Sequence, residues 1–271
     1  MKIIAVTNIK GGVGKTTTAV NLAYLCAAGG SKTLLWDLDP QAGATYIFGI
    51  DRDEREFASA KKLLAGKYEV PELIVGTRYS NLDLLPANLS YRKFDIHLNA
   101  HKKPTERLLK ISRTLREVYD VLFLDCPPGI SLLSENVLHA ADAAIVPLLP
   151  TPLSLRMLVQ LREFIDHQGW QDLALLPFFS MVDIRRSLHR ELMANTRQDF
   201  PAILATEVPY WSEIERMSLH RAPLPAFSPK GPATAIYAAL WREVSERVGG
   251  KEPAPVHAEQ ADPASGVATQ G

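Results

Sequence analysis

A β-branched run, a glycine-rich loop and a helical run follow one another without a break near the start of this sequence. The strand-like segment is Lys2 to Thr7, the loop reads Lys10-Gly11-Gly12-Val13-Gly14-Lys15-Thr16-Thr17, and the helical pattern runs from Lys15 to Ala28. This order makes an anion site from backbone alone. Glycines at 11, 12 and 14 let the chain turn tightly with its N–H groups facing inward. The helix that follows adds the positive end of its dipole. Lys15 supplies a point charge to β- and γ-phosphates, and the Thr16 hydroxyl is placed to bind Mg²⁺.

The rest of the sequence repeats the alternation. Strands are expected at Leu82 to Leu85, Val121 to Leu124, Ala143 to Leu148 and Leu173 to Met181, with others at Lys32 to Trp36 and near Ile203 to Val208. Several are apolar throughout, as strands buried on both faces must be. Helical periods fall between them, at Glu54 to Ala65, Thr105 to Val118, Leu132 to Ala140, Leu153 to Asp166, Leu188 to Arg197 and Ala233 to Val248. This alternation predicts an α/β fold with a mostly parallel central sheet flanked by helices. Pro127-Pro128-Gly129 and the prolines at 147, 150 and 152 mark loops leaving strand ends, where open α/β sheets bind ligands.

Two acidic segments end strands. Leu34-Leu35-Trp36-Asp37-Leu38-Asp39-Pro40-Gln41-Ala42-Gly43-Ala44-Thr45 carries two carboxylates, and Val121-Leu122-Phe123-Leu124-Asp125-Cys126-Pro127-Pro128-Gly129 carries one. Carboxylates in such places can hold water on Mg²⁺ or orient an attacking water. Taken alone, Asp37 and Asp39 also suit a plain Asp-Pro turn.

The loop departs from the common GxxxxGK[ST] pattern, since Ile9 stands where the first glycine belongs and Lys10 precedes the double glycine. In this it resembles the deviant Walker A motif of the ParA/MinD family of ATPases. The segment around Asp37 and Asp39 is similar to that family's DxDPQGNAT motif, and Asp125-Cys126-Pro127-Pro128 to its Walker B strand end. The likeness covers roughly Lys2 to Val248 and is densest before residue 150. It implies a three-layer P-loop NTPase fold, ATP and Mg²⁺ as cofactors, and slow Mg-dependent hydrolysis. Residue by residue, it implies that Lys10 reaches the partner's phosphates in a nucleotide-sandwich homodimer. Gly11, Gly12, Val13, Gly14, Lys15, Thr16 and Thr17 cradle the nucleotide, and Lys10, Lys15 and Asp39 serve catalysis. Asp39 positions the hydrolytic water, and Thr16, Asp37, Asp39 and Asp125 form the metal site, with Asp125 holding the ion and Asp37 supporting it nearby. Met181 and Pro209 fall in the adenine-binding region. Pro229-Lys230-Gly231-Pro232-Ala233 is similar to the stretch that opens the family's last helix.

Within that family four readings differ in what is bound. A ParA-like positioning ATPase binds nonspecific DNA as an ATP dimer, until a ParB-like or cargo-adaptor protein stimulates hydrolysis. Asn8 and Ile9 before Lys10 favour it, as does the run of Arg185, Arg186, His189 and Arg190, with Arg197 two turns on. Arg216, Arg221 and Lys230 are candidates on the same ground, that cations neutralise phosphates without reading sequence. A solvated helix face has the same composition. Thirty basic and thirty acidic residues cancel, so any such contact comes from a local patch. The alternative, a MinD-like membrane-cycling ATPase, needs a basic amphipathic C-terminal helix. The residues after Gly250 carry prolines and acids with no apolar face, so no membrane partner is expected. An iron–sulfur reductase would need two interface cysteines, whereas Cys26 lies inside the first helical run and Cys126 beside the Asp125 strand end. An amidating ligase would need an added glutaminase domain, for which the length leaves no room.

Two unpaired cysteines, no basic-then-apolar leader and no apolar run of about 18 residues lead to the expectation of a cytoplasmic protein, nucleoid-associated when ATP-bound. One ATPase domain is expected over 1–248, with a disordered tail over 249–271 that is rich in Pro, Ala and Gln.

Overall fold

The computed structural model describes residues 1–50 and 59–249. In chain order the first half comprises β1 (Lys2–Val6), α1 (Lys15–Ala28), β2 (Thr33–Asp37), α2 (Gly43–Ile47), α3 (Ala60–Leu64), β3 (Val75–Gly76), β4 (Leu82–Leu85), α4 (Phe94–Asn99) and α5 (Arg107–Arg113). The second half comprises β5 (Val121–Asp125), α6 (Leu132–Ala140), β6 (Ala143–Leu148), α7 (Pro152–Gln168), β7 (Ala174–Val182), α8 (Ser187–Asp199), β8 (Val208–Pro209), α9 (Ser212–Glu215), α10 (Met217–His220), α11 (Leu224–Phe227) and α12 (Pro232–Val248). Among the described residues the strands form one sheet in the order β3-β4-β2-β5-β1-β6-β7-β8. Every pairing is parallel except the antiparallel edge pair β3–β4.

The two-residue period of a strand sorts the core into layers. Ile4 and Val6 of β1 face α1 and α12, joining Leu22, Tyr237 and Trp241 in one buried cluster. Ile3 and Ala5 point the other way, into a cluster with Leu63, Phe94, Leu108 and Val137 from α3 to α6. A third cluster seats Leu158, Leu161 and Ile165 of α7 and Met193 of α8 against β6 and β7. Each fully buried Leu, Ile or Phe contributes roughly 1.5–3 kcal/mol by leaving water.

Several sequence expectations change here. Only Val208–Pro209 of the segment 203–208 is a strand. Ile203 and Leu204 are buried by an irregular segment instead, with the Leu204 N–H donating to the Pro177 carbonyl at 2.8 Å. The helix expected over 105–118 starts as a 3₁₀ turn at Pro104–Glu106 and ends as α5 at Arg113, because turns take over beyond it. Of the helix expected over 54–65, α3 is observed, and residues 54–58 lie outside the described residues. The expected tail from 250 onward lies outside them too. No helix among the described residues is long and apolar enough to cross a membrane.

One buried side chain ties the C-terminal third to the loop helix. Asn21 of α1 donates to the Thr17 carbonyl at 2.8 Å and accepts the Leu224 N–H at 2.8 Å, with the Met217 sulfur 3.3 Å away. Removing a partner from a buried donor costs its full desolvation, about 1–3 kcal/mol. Asn21→Ala is therefore expected to lower the unfolding free energy by about that amount, read as a lower urea midpoint at constant slope, and an unchanged midpoint would show that Leu224 needs no acceptor.

Candidate phosphate-binding site

The loop between β1 and α1 turns through two left-handed glycines, Gly12 at φ +69° and Gly14 at φ +90°. Gly14 also caps α1 without any side-chain acceptor, so the first N–H groups of a 14-residue helix are left for a ligand. A Cβ at Gly14 would stand 3.2 Å from the Ser180 hydroxyl, which makes glycine there a steric as well as a conformational need. Gly11 lies against Pro128 of the turn after β5.

Lys10 is fixed by its backbone. Its N–H donates to the Asn8 Oδ1 at 2.9 Å, and its carbonyl accepts the Lys15 ammonium at 2.9 Å. Asn8 is anchored in turn by donating to the Pro147 carbonyl at 2.7 Å. The Lys10 ammonium itself makes no hydrogen bond or ion pair among the described residues. Lys15 is buried, and that burial holds its ammonium below the usual lysine range, an effect opposed first by the Asp125 carboxylate.

Sheet register brings two of the acids together. Asp37 ends β2, Asp125 ends β5, and the two are direct partners across adjacent parallel strands. Both are fully buried. Burial lifts the Asp37 carboxyl to about 6, and three donors pull against it. These are the Thr45 N–H at 2.8 Å, the Thr45 hydroxyl at 2.7 Å and the Asp39 N–H at 3.2 Å. Asp125 is raised well above the usual carboxylate range, by burial first and by the Asp37 charge second. The Thr16 hydroxyl eases this from outside strict hydrogen-bond geometry, and neither Asp125 oxygen has a hydrogen-bond partner. Asp39 is half-buried, and its Oδ1 accepts the Gln41 N–H at 2.9 Å. Burial and Asp125 push the Cys126 thiol up, so it stays protonated and serves packing.

An orphaned buried carboxylate beside a hydroxyl is a fitting seat for a hard cation. Among the described residues no three His, Cys, Asp or Glu side chains converge on one point as a closed cage would require. The donor set of Thr16 and Asp125 instead suits Mg²⁺, which keeps waters and takes phosphate oxygens as ligands.

The other two nucleotide candidates also meet the loop. Met181 and Pro209 line a cleft of about 120 Å³ together with Gly14 and Thr17. Met181 has φ +54°, at the place where the β7–β8 register shifts between Ser180 and Val182. Tyr210, Trp211 and Tyr237 complete its walls. The sequence reading missed them, although an aromatic pair directly after Pro209 was the available signal.

The basic candidates do not form one group. Arg185, Arg186 and Arg190 are exposed around the start of α8, where Arg185 pairs with Asp183 at 2.9 Å and Arg190 donates to the Ile184 carbonyl. Arg197 is occupied elsewhere. It pairs with Glu207 at 2.8 Å, donates to the Ala205 carbonyl and lies over the Phe179 ring. Arg221 has φ +46° and packs on Tyr46, donating to that residue's carbonyl at 3.2 Å. Arg216 and Lys230 are exposed, at the start of α10 and just before α12.

The sheet, the left-handed glycines, the buried lysine and the acids at the strand ends define a P-loop protein of the kind with a second loop lysine. A family model described as an AAA domain matches residues 1–171. The chain is 30% identical over 249 residues to the sporulation initiation inhibitor protein Soj of Bacillus subtilis, covering 90% of this chain and 98% of Soj. It is 32% identical over 257 residues to the chromosome partitioning protein ParA of Myxococcus xanthus, covering 93% and 90%. Among solved structures, an ATP complex of McdA from Cyanothece superposes with a TM-score of 0.78 at 19% identity, over 93% of this chain and 97% of that one. Cobyrinic acid a,c-diamide synthase from Mycobacterium smegmatis, with an ATP analog and magnesium, gives 0.75 at 27% identity, over 93% and 98%. The chain belongs to the ParA/Soj/MinD family of P-loop ATPases.

The strand-end acids make stability depend on pH. A carboxyl whose folded pKa is raised stabilises the fold below its unfolded value, near 3.8, and loses that contribution as pH rises through the folded value, about 6 for Asp37. Urea midpoints measured in chelator are expected to fall between about pH 4 and pH 7. Asp125→Asn should flatten part of that fall, and Mg²⁺ should offset it in the parent protein only; a flat parent profile would contradict the buried, partnerless state of Asp125.

Proposed function

We propose that this chain binds ATP and Mg²⁺ in the loop and closes face to face with a second copy. In that state it binds nonspecific DNA, and so positions or segregates DNA or another cargo. The observation that carries the reading is Lys10: its backbone is clamped on both sides while its ammonium is uncommitted. A cation held out from a rigid loop stabilises phosphate charge in trans only when two subunits close, as an arginine finger does.

The other residues take roles that follow from their positions. Gly11 to Gly14 and the first turn of α1 surround the β- and γ-phosphates, and Lys15 leaves the Lys10 carbonyl to meet them. Thr16, and Asp125 through water, would hold Mg²⁺, which neutralises charge on the phosphate oxygens. Asp37 orders the strand end by holding Thr45. Asp39, the half-buried acid beside this group, orients water toward the γ-phosphate. Met181 and Pro209 border the base. Arg185, Arg186 and Arg190 are the exposed cations best placed for DNA phosphates, with Arg216 and Lys230 beyond them. A ParB-like or cargo-adaptor protein stimulates a slow basal hydrolysis, and one ATPase unit runs through residue 248. Support comes from the likeness to the chromosome partitioning protein ParA, matched over 90% of its length.

Lys10→Ala is expected to keep nucleotide affinity within a few-fold while abolishing ATP-dependent dimers in light scattering; unchanged dimers would remove Lys10 from the interface. Asp39→Ala should hydrolyse ATP at least about tenfold more slowly, since positioned general bases contribute ~10²–10⁴-fold, and should accumulate the dimer. Wild-type turnover by that variant would exclude Asp39 from the reaction.

A further inference from the structure

Away from the loop, the 3₁₀ turn Pro104–Glu106, α5 and the end of α6 enclose an open cleft of about 730 Å³. Small-molecule sites span roughly 300–1,000 Å³, so the space suits a ligand of that class. Lys102, Lys103, Arg107, Lys110 and Arg113 line it, and Glu106 is the one carboxylate among the described lining residues. Five cations against one carboxylate leave the lining with a charge of +4. Arg107, Lys110 and Arg113 lie three residues apart on α5, so they share a face and rise about 4.5 Å per step. Like charges gathered on a concave wall repel one another, and a bound anion offsets that cost.

The walls are held from behind. Asn136 of α6 accepts the Arg107 N–H at 3.1 Å and the Leu108 N–H at 3.3 Å, and donates to the Pro104 carbonyl at 2.7 Å. His139, which α6 adds to the lining, is stacked on Trp170 with ring centroids 5.8 Å apart. Arg107 is half-buried and donates one arm to the Leu64 carbonyl, while its Nε is buried without a hydrogen-bond partner. Lys102, Lys103, Lys110 and Arg113 are exposed, so Arg107 is the least accessible of the five. Glu106 is paired with Lys103 at 2.9 Å, an exposed contact that binds neither partner strongly.

We propose that this cleft is a second anion site, which takes a small ligand bearing about three linked phosphates, as a free oligophosphate or as the polyphosphate of a nucleotide. The site lies outside the ATP cycle described above, since its lining comes from 101–113 and His139 and includes no residue of the loop, the strand ends or α8. Linked phosphates carry roughly one negative charge each and about one more at a free end, so three of them match the +4 lining. Arginine forks and lysine point charges both suit phosphate oxygens. A peptide partner would want apolar anchors, and Leu109 is the one aliphatic side chain among the described lining residues. The cation row on α5 is about 9 Å long, the reach of a small ligand rather than of a duplex.

The test is calorimetric titration of the full chain with inorganic tripolyphosphate at fixed ionic strength. It is run on wild type with the loop filled by saturating ADP, and on Lys15→Ala, whose loop has lost its phosphate cation. One site per chain is expected in both. Lys110→Ala with Arg113→Ala should weaken it at least about tenfold, the least that losing one charge-assisted hydrogen bond predicts. Lys102→Ala with Lys103→Ala, outside α5, should also weaken it, whereas Lys110→Arg should stay within a few-fold of wild type. Circular dichroism and basal ATP hydrolysis should be unchanged in these three variants. Guanosine triphosphate binding the Lys15→Ala cleft as tightly as tripolyphosphate would name a nucleotide as the source, and much weaker binding would name a free chain. The proposal is overturned if no site remains once the loop is filled or disabled, or if the alanine pairs bind like wild type. Sulfate matching tripolyphosphate would overturn it as unselective charge. Tighter binding of a polyglutamate peptide would overturn it in favour of an acidic protein partner, and displacement of tripolyphosphate by a random-sequence duplex in favour of DNA. Loss of ATP-dependent dimers or DNA binding would leave all of these readings unchanged, so the two proposals fail separately.

Discussion

Asp37 and Asp125 end neighbouring strands in register, and parallel pairing gives them no way to separate. Two buried carboxylates side by side repel, and burial penalises each charge further. The site is organised around that conflict. Thr45 and the Asp39 N–H spend three hydrogen bonds on Asp37. Lys15 lends its charge to Asp125 from a buried position, at a cost to its own protonation. Asp125 keeps two partnerless oxygens. A proton relieves that deficit without moving the sheet, and so would a cation held by Thr16 and Asp125.

The loop glycines answer a different constraint. Gly14 must be left-handed to turn β1 into α1 and must lack a side chain because Ser180 crowds it. Ser180 and Met181 belong to β7, two strands from β1 in the sheet, and lead directly into the Met181 cleft. The phosphate end and the cleft end are thus one continuous surface, fixed by β7 packing and by the register shift after Ser180. Asn21 extends the same logic to the C-terminal third, by holding Leu224 to the helix that carries Lys15 and Thr16.

Features that repeat along the chain could be read from it. Parallel strands buried on both faces leave unbroken apolar runs, and the spacing of Gly11, Gly12 and Gly14 before Lys15 has little other use. Asp37 and Asp125 were recognisable as strand-end acids, but their pairing depends on β2 and β5 being neighbours, and no local pattern states that. Short elements were missed because one or two turns carry no period. α2, α9, α10 and α11 have four or five residues each, and β3 has two. The basic candidates show the limit most clearly. Arg197 and Arg190 look alike in sequence, yet Glu207 and the Phe179 ring occupy the first, while the second stays exposed. The α5 cations were passed over because their concave setting is made by α6.

α6 joins the two chemistries. It is capped by Ser131, just past the turn in which Pro128 meets Gly11, and its end presents His139 to the α5 cleft. At 1.5 Å per residue those points are roughly 12 Å apart along one helix. Asn136, on the same helix, fixes Pro104, Arg107 and Leu108. His101 adds little charge to the cleft at neutral pH, since burial and the nearby Arg107 hold it below the usual histidine range. Most of the cleft's positive charge is carried by Lys and Arg, whose charge does not change over physiological pH. An anion held there would meet a nearly constant potential, while the strand-end acids titrate with pH and respond to metal. The same helix thus separates a surface of fixed charge from a site of variable charge.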